Sequence, residues 1–297
     1  MFNSSNGFAV ILLLSNFVIP CLAYGERPDV DRLVDVGGYQ LHLKCTGEGS
    51  PTVVLEAGLG GSSDGWVKVM PDVAKFTRVC AYDRPGEGKS DPAPRRLTHI
   101  GSRTYIELRN GADVVRDLHT LLTNANEIGP YVIVGHSIGG LYSILFASTY
   151  SKSVVGMVLE DSSHPDQLIQ KTRILGTEAT KYDHASLMQN EEGADIDVIF
   201  AEVTAAHWKT DIPLYVLCRG RTTMPSNGRS QEQTDQLDET HLLQERDFAG
   251  RSTNGKFLVA EKSGHFIHRD QPDLVIQAIH DVIESAKTRT ANSSKQN

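Results

Sequence analysis

The feature that most restricts this chain is a run near its middle, Tyr131-Val132-Ile133-Val134-Gly135-His136-Ser137-Ile138-Gly139-Gly140, followed by Leu141-Tyr142-Ser143-Ile144-Leu145-Phe146-Ala147. Four strand-forming residues pass directly into a serine with glycine two positions away on each side, and an apolar helical stretch follows at once. Strand, sharp turn and helix in that order hold a serine hydroxyl out of the end of a sheet. The turn needs small residues on both sides, which Gly135 and Gly139 supply. The helix also aims backbone N–H groups and its positive dipole end at any oxyanion formed on Ser137, with Ile138 N–H as one donor. A glycine-rich turn that merely joins a strand to a helix is the plain alternative.

The rest of the chain fits a layered architecture around that turn. Arg32 to Val36 and Tyr39 to Cys45 flank Gly37-Gly38 and predict an opening β-hairpin. Short β-rich runs then recur at Thr52 to Glu56, Thr77 to Tyr82, Tyr131 to Val134, Val154 to Glu160, Ile212 to Cys218 and Lys256 to Ala260. Helical patterns at Ala112 to Asn124 and Pro272 to Lys287 carry apolar residues at helical spacing. Such alternation predicts an α/β fold, a mostly parallel, doubly wound sheet covered on both faces. One domain is expected over 30–287, with a small helical cap inserted at about 162–211 and a disordered polar tail over 288–297.

Composition narrows the partners. Of 297 residues, 39% are hydrophobic and 22% charged, enough to bury a large core, and the formal charge is −8. An acidic chain without a basic stripe is not expected to bind nucleic acid, which requires clustered Lys and Arg; the net field weakly disfavours anionic substrates, though a pocket can differ. Phe8 to Val18, then Pro20-Cys21-Leu22-Ala23, reads as a secretory signal peptide over 1–23, although no Lys or Arg precedes it. The stretch is shorter than the roughly 20 apolar residues of a spanning helix, so no stable membrane anchor is expected, and the mature protein would be secreted or periplasmic. Cleavage would leave Cys45, Cys80 and Cys218. Cys80 and Cys218 lie in apolar strand-like runs and read as packing residues, while Cys45 is the candidate for a bridge.

Thr52 to Glu56 ends in Ala57-Gly58-Leu59-Gly60-Gly61, a turn suited to close approach, and Leu59 N–H is the expected second oxyanion donor. The glycine turn, Tyr82-Asp83-Arg84-Pro85-Gly86-Glu87-Gly88-Lys89-Ser90, the Ser137 elbow and the Gly264-His265 region occur in the order found in α/β-hydrolases. From about Leu33 to Ala286 the chain resembles that superfamily, in its serine esterase and lipase-like branch. One departure is Ala57-Gly58, where many members have His-Gly; the donor is backbone, so little changes. The resemblance implies that Asp83 and Arg84 organise turns, and that His265, after the last strand, is the general base. His268 reads as a surface or substrate-side residue, His136 as pocket lining or elbow packing, and His164 as a loop cap or pocket lining. No histidine spacing makes a zinc site, and no metal or cofactor is implied.

The third triad member has no obvious place. Superfamily members usually carry it after the penultimate strand, but Ile212 to Cys218 runs into Arg219-Gly220-Arg221-Thr222-Thr223-Met224 without an acid. Asp235 and Asp238 follow in a polar stretch. The resemblance offers another location, the end of the preceding strand, which Asp161 occupies; Glu160 is a further alternative. With Ser137 as nucleophile, the expected reaction is cleavage of a small-molecule carboxylic ester through an acyl-enzyme. Acyl transfer, amide cleavage or carbon–carbon hydrolysis would use the same triad, and a non-catalytic binding scaffold is the competing class. Trp66 reads as core, and Tyr182 and Trp208 as lid packing or pocket walls.

Overall fold

The computed structural model describes residues 27–100, 102–206, 208–221 and 228–293, with the side chains of Tyr182, Asn292 and Ser293 left undescribed. The expected signal peptide lies outside the described residues.

The chain opens with β1 (Val30–Asp35), β2 (Gln40–Thr46), β3 (Thr52–Glu56), a single 3-10 turn at Ser63–Trp66, α1 (Met70–Val73) and β4 (Val79–Tyr82). Next come β5 (Arg96–Ile100), β6 (Arg103–Glu107), α2 (Gly111–Asn124), β7 (Tyr131–His136), α3 (Ile138–Thr149) and β8 (Val154–Glu160). The remainder is α4 (Gln167–Leu175), α5 (Thr177–Met188), α6 (Ile196–Ala205), β9 (Leu214–Arg219), α7 (Gln231–Gly250), β10 (Gly255–Ala260), α8 (Ile267–Asp270) and α9 (Pro272–Ser293).

Eight strands form one sheet in the order β1-β2-β4-β3-β7-β8-β9-β10. The strands from β4 to β10 run parallel, and β1 and β2 are antiparallel at the edge. Side chains of each central strand alternate between two apolar layers, as a pleated strand requires. Val132 and Val134 pack with Val275, Ile279 and Val282 of α9, while Ile133 packs with Leu118 of α2 and Leu141 of α3. Burying each such side chain contributes about 1.5–3 kcal/mol, so the two layers lock the strand register. A capping box at Asn110 and Asp113 starts α2 and fixes where it meets the sheet. The sheet is doubly wound, as the alternating pattern predicts.

Several details differ from the sequence reading. The expected cap is divided: α4 and α5 pack on each other and α4 on α7, but α6 joins the core through Ile196, Ile199, Phe200 and Val203. Those four recur at helical spacing and form a continuous apolar stripe, which α4, with no buried residue, lacks. Trp208 also packs in this core rather than in a lid. The expected disordered tail is helical to Ser293. Its first turns are anchored by buried apolar residues, and extending a nucleated helix costs little; Arg289 also pairs with Asp211 at 2.6 Å. The antiparallel pair β5 and β6, unforeseen in the sequence, stands outside the main sheet and is exposed throughout. Cys80, read as a packing residue, is bonded to Cys45. The two lie directly opposite each other where β2 pairs with β4, a neighbour relationship that exists only in the folded sheet. Cys218 is a free, buried thiol.

Candidate active site

Ser137 sits between β7 and α3 with φ 55° and ψ −124°, a conformation rarely adopted by residues other than glycine. Such strain costs on the order of 1–3 kcal/mol and persists only where surrounding bonds over-determine it. They do here: Ser137 N–H donates to Glu160 O at 3.1 Å, and its own carbonyl accepts from Gly140 N–H at 3.0 Å and Ser163 N–H at 2.9 Å. The flanking glycines are a steric requirement. A Cβ on Gly135 would stand 2.5 Å from Gly139 O, and one on Gly139 would stand 2.5 Å from Ala57 O and 2.6 Å from Glu56 O. The elbow and the turn after β3 are therefore packed backbone to backbone.

That turn is held from behind by Arg84. Its guanidinium donates to Ala57 O at 2.6 Å and Gly58 O at 2.6 Å, and it pairs with Glu56 at 2.5 Å and Glu192 at 2.6 Å. Burial opposes the charged guanidinium, but Glu192 and Glu56 outweigh it and raise its pKa further. The N–H groups of Leu59 and Ile138 donate to no acceptor among the described residues. Ile138 opens α3, where the first N–H groups have no intrahelical partner. Asp83 accepts from Ser63 N–H at 2.6 Å, Lys89 N–H at 2.9 Å and His42, so Asp83 and Arg84 organise turns.

Ser137, Leu59, His265, His136, His268 and Trp66 all line one cleft of about 360 Å³. The cleft lies at the carboxyl ends of β3 and β7, where the strand order reverses and open α/β sheets gather their sites. His265 Nδ1 donates to Asp161 Oδ2 at 2.6 Å, which leaves its Nε2 as the accepting nitrogen. Asp161 is buried, with φ 42°, and its N–H is tied to Leu217 O at 2.7 Å. Its other oxygen accepts from Arg219 N–H at 2.9 Å and from His241 Nε2 at 2.6 Å. Burial opposes the charged form of Asp161, yet the hydrogen bonds from His241 and His265 prevail and hold it well below the usual carboxylate range.

The other candidate acids are elsewhere. Asp238 is paired with Arg219 at 2.9 Å, and Asp235 accepts from Gln231 on exposed α7. Glu160 takes the second histidine: its Oε1 accepts from His268 N–H at 2.7 Å and Nδ1 at 2.6 Å. His268 is therefore no surface residue; it is 3% exposed, with its ring centroid 4.6 Å from that of Trp66 at a tilt of 35°. Glu160 at the end of β8 and Asp161 just after it thus each hold one histidine of the His265 to His268 turn. His136 donates from Nε2 to His265 O at 2.8 Å. Burial, then the neighbouring His265 and His268, lower its pKa to about 3, so it is a neutral support. His164 lies away from the cleft, its Nδ1 accepting from Asp166 N–H at 3.1 Å in a loop cap. His241 was missed, because nothing in its polar helical context marks it.

Besides Cys45 and Cys80 beside Glu127, whose sulfurs are bonded to each other, two clusters among the described residues contain metal-ligating atom types, His136 with Glu160 and His268, and Asp161 with Cys218 and His241. In both, imidazole is already hydrogen-bonded to carboxylate, and burial pushes the Cys218 thiol up, away from the thiolate that a metal requires. The hydrogen-bonded arrangement accounts for both clusters.

Comparison with known proteins agrees with this architecture. Residues 51–178 match the family model described as alpha/beta hydrolase fold. The uncharacterized protein YqjL of Bacillus subtilis is 27% identical over 255 residues, 85% of this chain and 92% of that protein. A 2-hydroxy-6-oxo-6-(2'-aminophenyl)hexa-2,4-dienoic acid hydrolase of Metapseudomonas resinovorans is 31% identical over 140 residues, 46% of this chain and 44% of that relative, less than half of each. Among solved structures, a thermophilic esterase from Thermogutta terrifontis superposes with a TM-score of 0.56 at 18% identity, covering 88% of this chain and 99% of the esterase. The chain has the α/β-hydrolase fold, and residues 51–178 are the part that matches the family model.

Proposed function

We propose that this protein is a serine hydrolase that cleaves carboxylic esters through an acyl-enzyme on Ser137. The observation that carries the reading is the Asp161–His265 hydrogen bond of 2.6 Å, in the cleft that also presents Ser137 on a strained elbow. Ser137 Oγ attacks the ester carbonyl while His265 Nε2 takes its proton, and the oxyanion is received by the N–H groups of Leu59 and Ile138. The tetrahedral species collapses, the C–O bond to the alcohol breaks, and the alcohol leaves with the proton from Nε2. Water, deprotonated by the same nitrogen, then releases the acid and frees Ser137. Asp161 keeps the proton on Nδ1 and stabilises the imidazolium that forms in each half.

Labelling with a fluorophosphonate probe tests this. Wild-type protein is expected to be modified at Ser137 and to hydrolyse short p-nitrophenyl esters, and Ser137→Ala to do neither. Folded wild-type protein that takes up no label at Ser137 overturns the reading.

A second reading, hydrolysis of a carbon–carbon bond next to a carbonyl, is favoured by the partial match to the Metapseudomonas enzyme. Activity on a vinylogous diketone but on none of the esters would select it. The Cys45–Cys80 bond supports delivery to an oxidising compartment, outside the cytosol. A cytosolic protein with both thiols reduced in its native form would overturn that part.

A further inference from the structure

Asp161 carries two imidazoles, not one. Oδ2 accepts from His265 Nδ1 and Oδ1 from His241 Nε2, both at 2.6 Å, so the carboxylate bridges the cleft histidine to a histidine on α7. The far side of His241 opens on a second cavity, of about 500 Å³, bounded by Leu168 and Lys171 of α4, Leu187 of α5, and Thr234 and Gln244 of α7. His241 is 20% exposed at its side chain. Its Nδ1 has no hydrogen-bond partner among the described residues, so the bond from Nε2 to Asp161 is what fixes the ring.

We infer that His241 is a positioning residue for the Ser137 reaction: its hydrogen bond fixes the second oxygen of Asp161 and so the carboxylate that receives His265. The inference rests on the serine-hydrolase reading. The geometry supplies the reason. An Asp161 side chain held only at Oδ2 could swing about its terminal bond, whereas donors at both oxygens fix the plane in which His265 Nδ1 is received.

The other groups facing His241 come from every element around it. Asp161 ends β8. From β9 come Cys218 and Arg219, whose guanidinium is 4.0 Å from Asp161 Oδ1 and 2.9 Å from Asp238. From α7 come Asp238 and Glu245, the latter fully buried with its carboxyl pushed well above the ordinary range by burial and then by Asp161. Lys171 of α4 and Asp183 of α5 pair with each other at 2.6 Å across the cavity. Arg219 and Lys171 are thus engaged by other carboxylates, which leaves the Arg219 backbone N–H and His241 as the hydrogen-bond donors to Asp161 Oδ1 among the described residues.

The test measures the second-order rate of fluorophosphonate labelling of Ser137 from pH 5 to 9 in wild type, His241→Gln and His241→Ala. The Gln amide nitrogen occupies the position of Nε2 and donates to Asp161 without titrating. His241→Ala is expected to label about tenfold more slowly at the plateau. His241→Gln should recover most of that loss, because its amide nitrogen still donates to Asp161 Oδ1. Wild-type rates in both variants would overturn the inference, as would equal losses in the two. The hydrolase reading is scored separately: if wild type itself does not label, that reading fails, whereas labelling that is indifferent to position 241 removes only the role of His241.

Discussion

Asp161 Oδ2 stands 2.6 Å from His265 Nδ1, although 104 residues separate them in the chain. The two meet because β8 and the segment after β10 both end at the same rim of the sheet. Asp161 is there the acceptor of three N–H donors, from His265, His241 and the Arg219 backbone.

That donor set makes Asp161→Asn an unusually disruptive isostere. An amide nitrogen would have to face either His265, reversing its tautomer, or the Arg219 and His241 donors. The turnover number on p-nitrophenyl acetate should fall by about ten-thousand-fold, the loss that a wrong histidine tautomer causes in serine-protease triads. The same change at Asp238, which pairs with Arg219, should cost less than tenfold; the opposite ranking would assign the acid to Asp238.

Stability should depend on pH through His136. Its folded-state pKa, about 3, lies below the ordinary 6.5, so the unfolded chain binds more protons between those values. Stability from this residue is therefore complete above about pH 6.5 and is lost as pH falls toward 3. Between pH 7 and pH 5 the loss amounts to about 2 kcal/mol. Urea unfolding at the two pH values should show this difference in wild type, and a smaller one in His136→Gln, whose amide still donates toward His265 O.

Arg84→Met should destabilise the fold by about 3–5 kcal/mol, because it leaves Glu56 and Glu192 buried without their cation. The turn carrying Leu59 would also lose the donors that hold Ala57 O and Gly58 O. Thermal unfolding together with fluorophosphonate labelling separates the two effects. A variant of wild-type stability would show that the network contributes nothing net.

Gly139→Ala places a methyl 2.5 Å from Ala57 O, against backbone that cannot rotate away. Overpacking of this kind costs about 1–3 kcal/mol. Labelling of Ser137 should fall more steeply than stability, since the displaced segment carries the oxyanion donors; a proportionate fall in both would mean simple loss of fold.

The elbow was legible in the sequence because its determinants are local. The conformation of Ser137 needs a preceding strand, a following helix and two glycines, all within Tyr131 to Ala147. The amphipathic patterns of α2 and α9 were legible for the same reason, while α6 was mistaken for part of a cap because its stripe does not state which surface it will cover. Glu160, Asp161, His265 and His268 were visible singly, but their pairing was not.

What the sequence determined by itself, then, was the α/β class, the sharp turn at Ser137, the glycine turn after β3 and the histidine after the last strand. Tertiary structure decided which carboxylate stands behind His265, that Arg219 brings an N–H donor where an acid was expected, and that His241 and the Cys45–Cys80 bond exist as partnerships at all. The physical reason is one of range. Backbone turns are set by steric terms between neighbours in the chain, whereas the charge and hydrogen bonds of a buried carboxylate depend on which distant strands and helices end beside it.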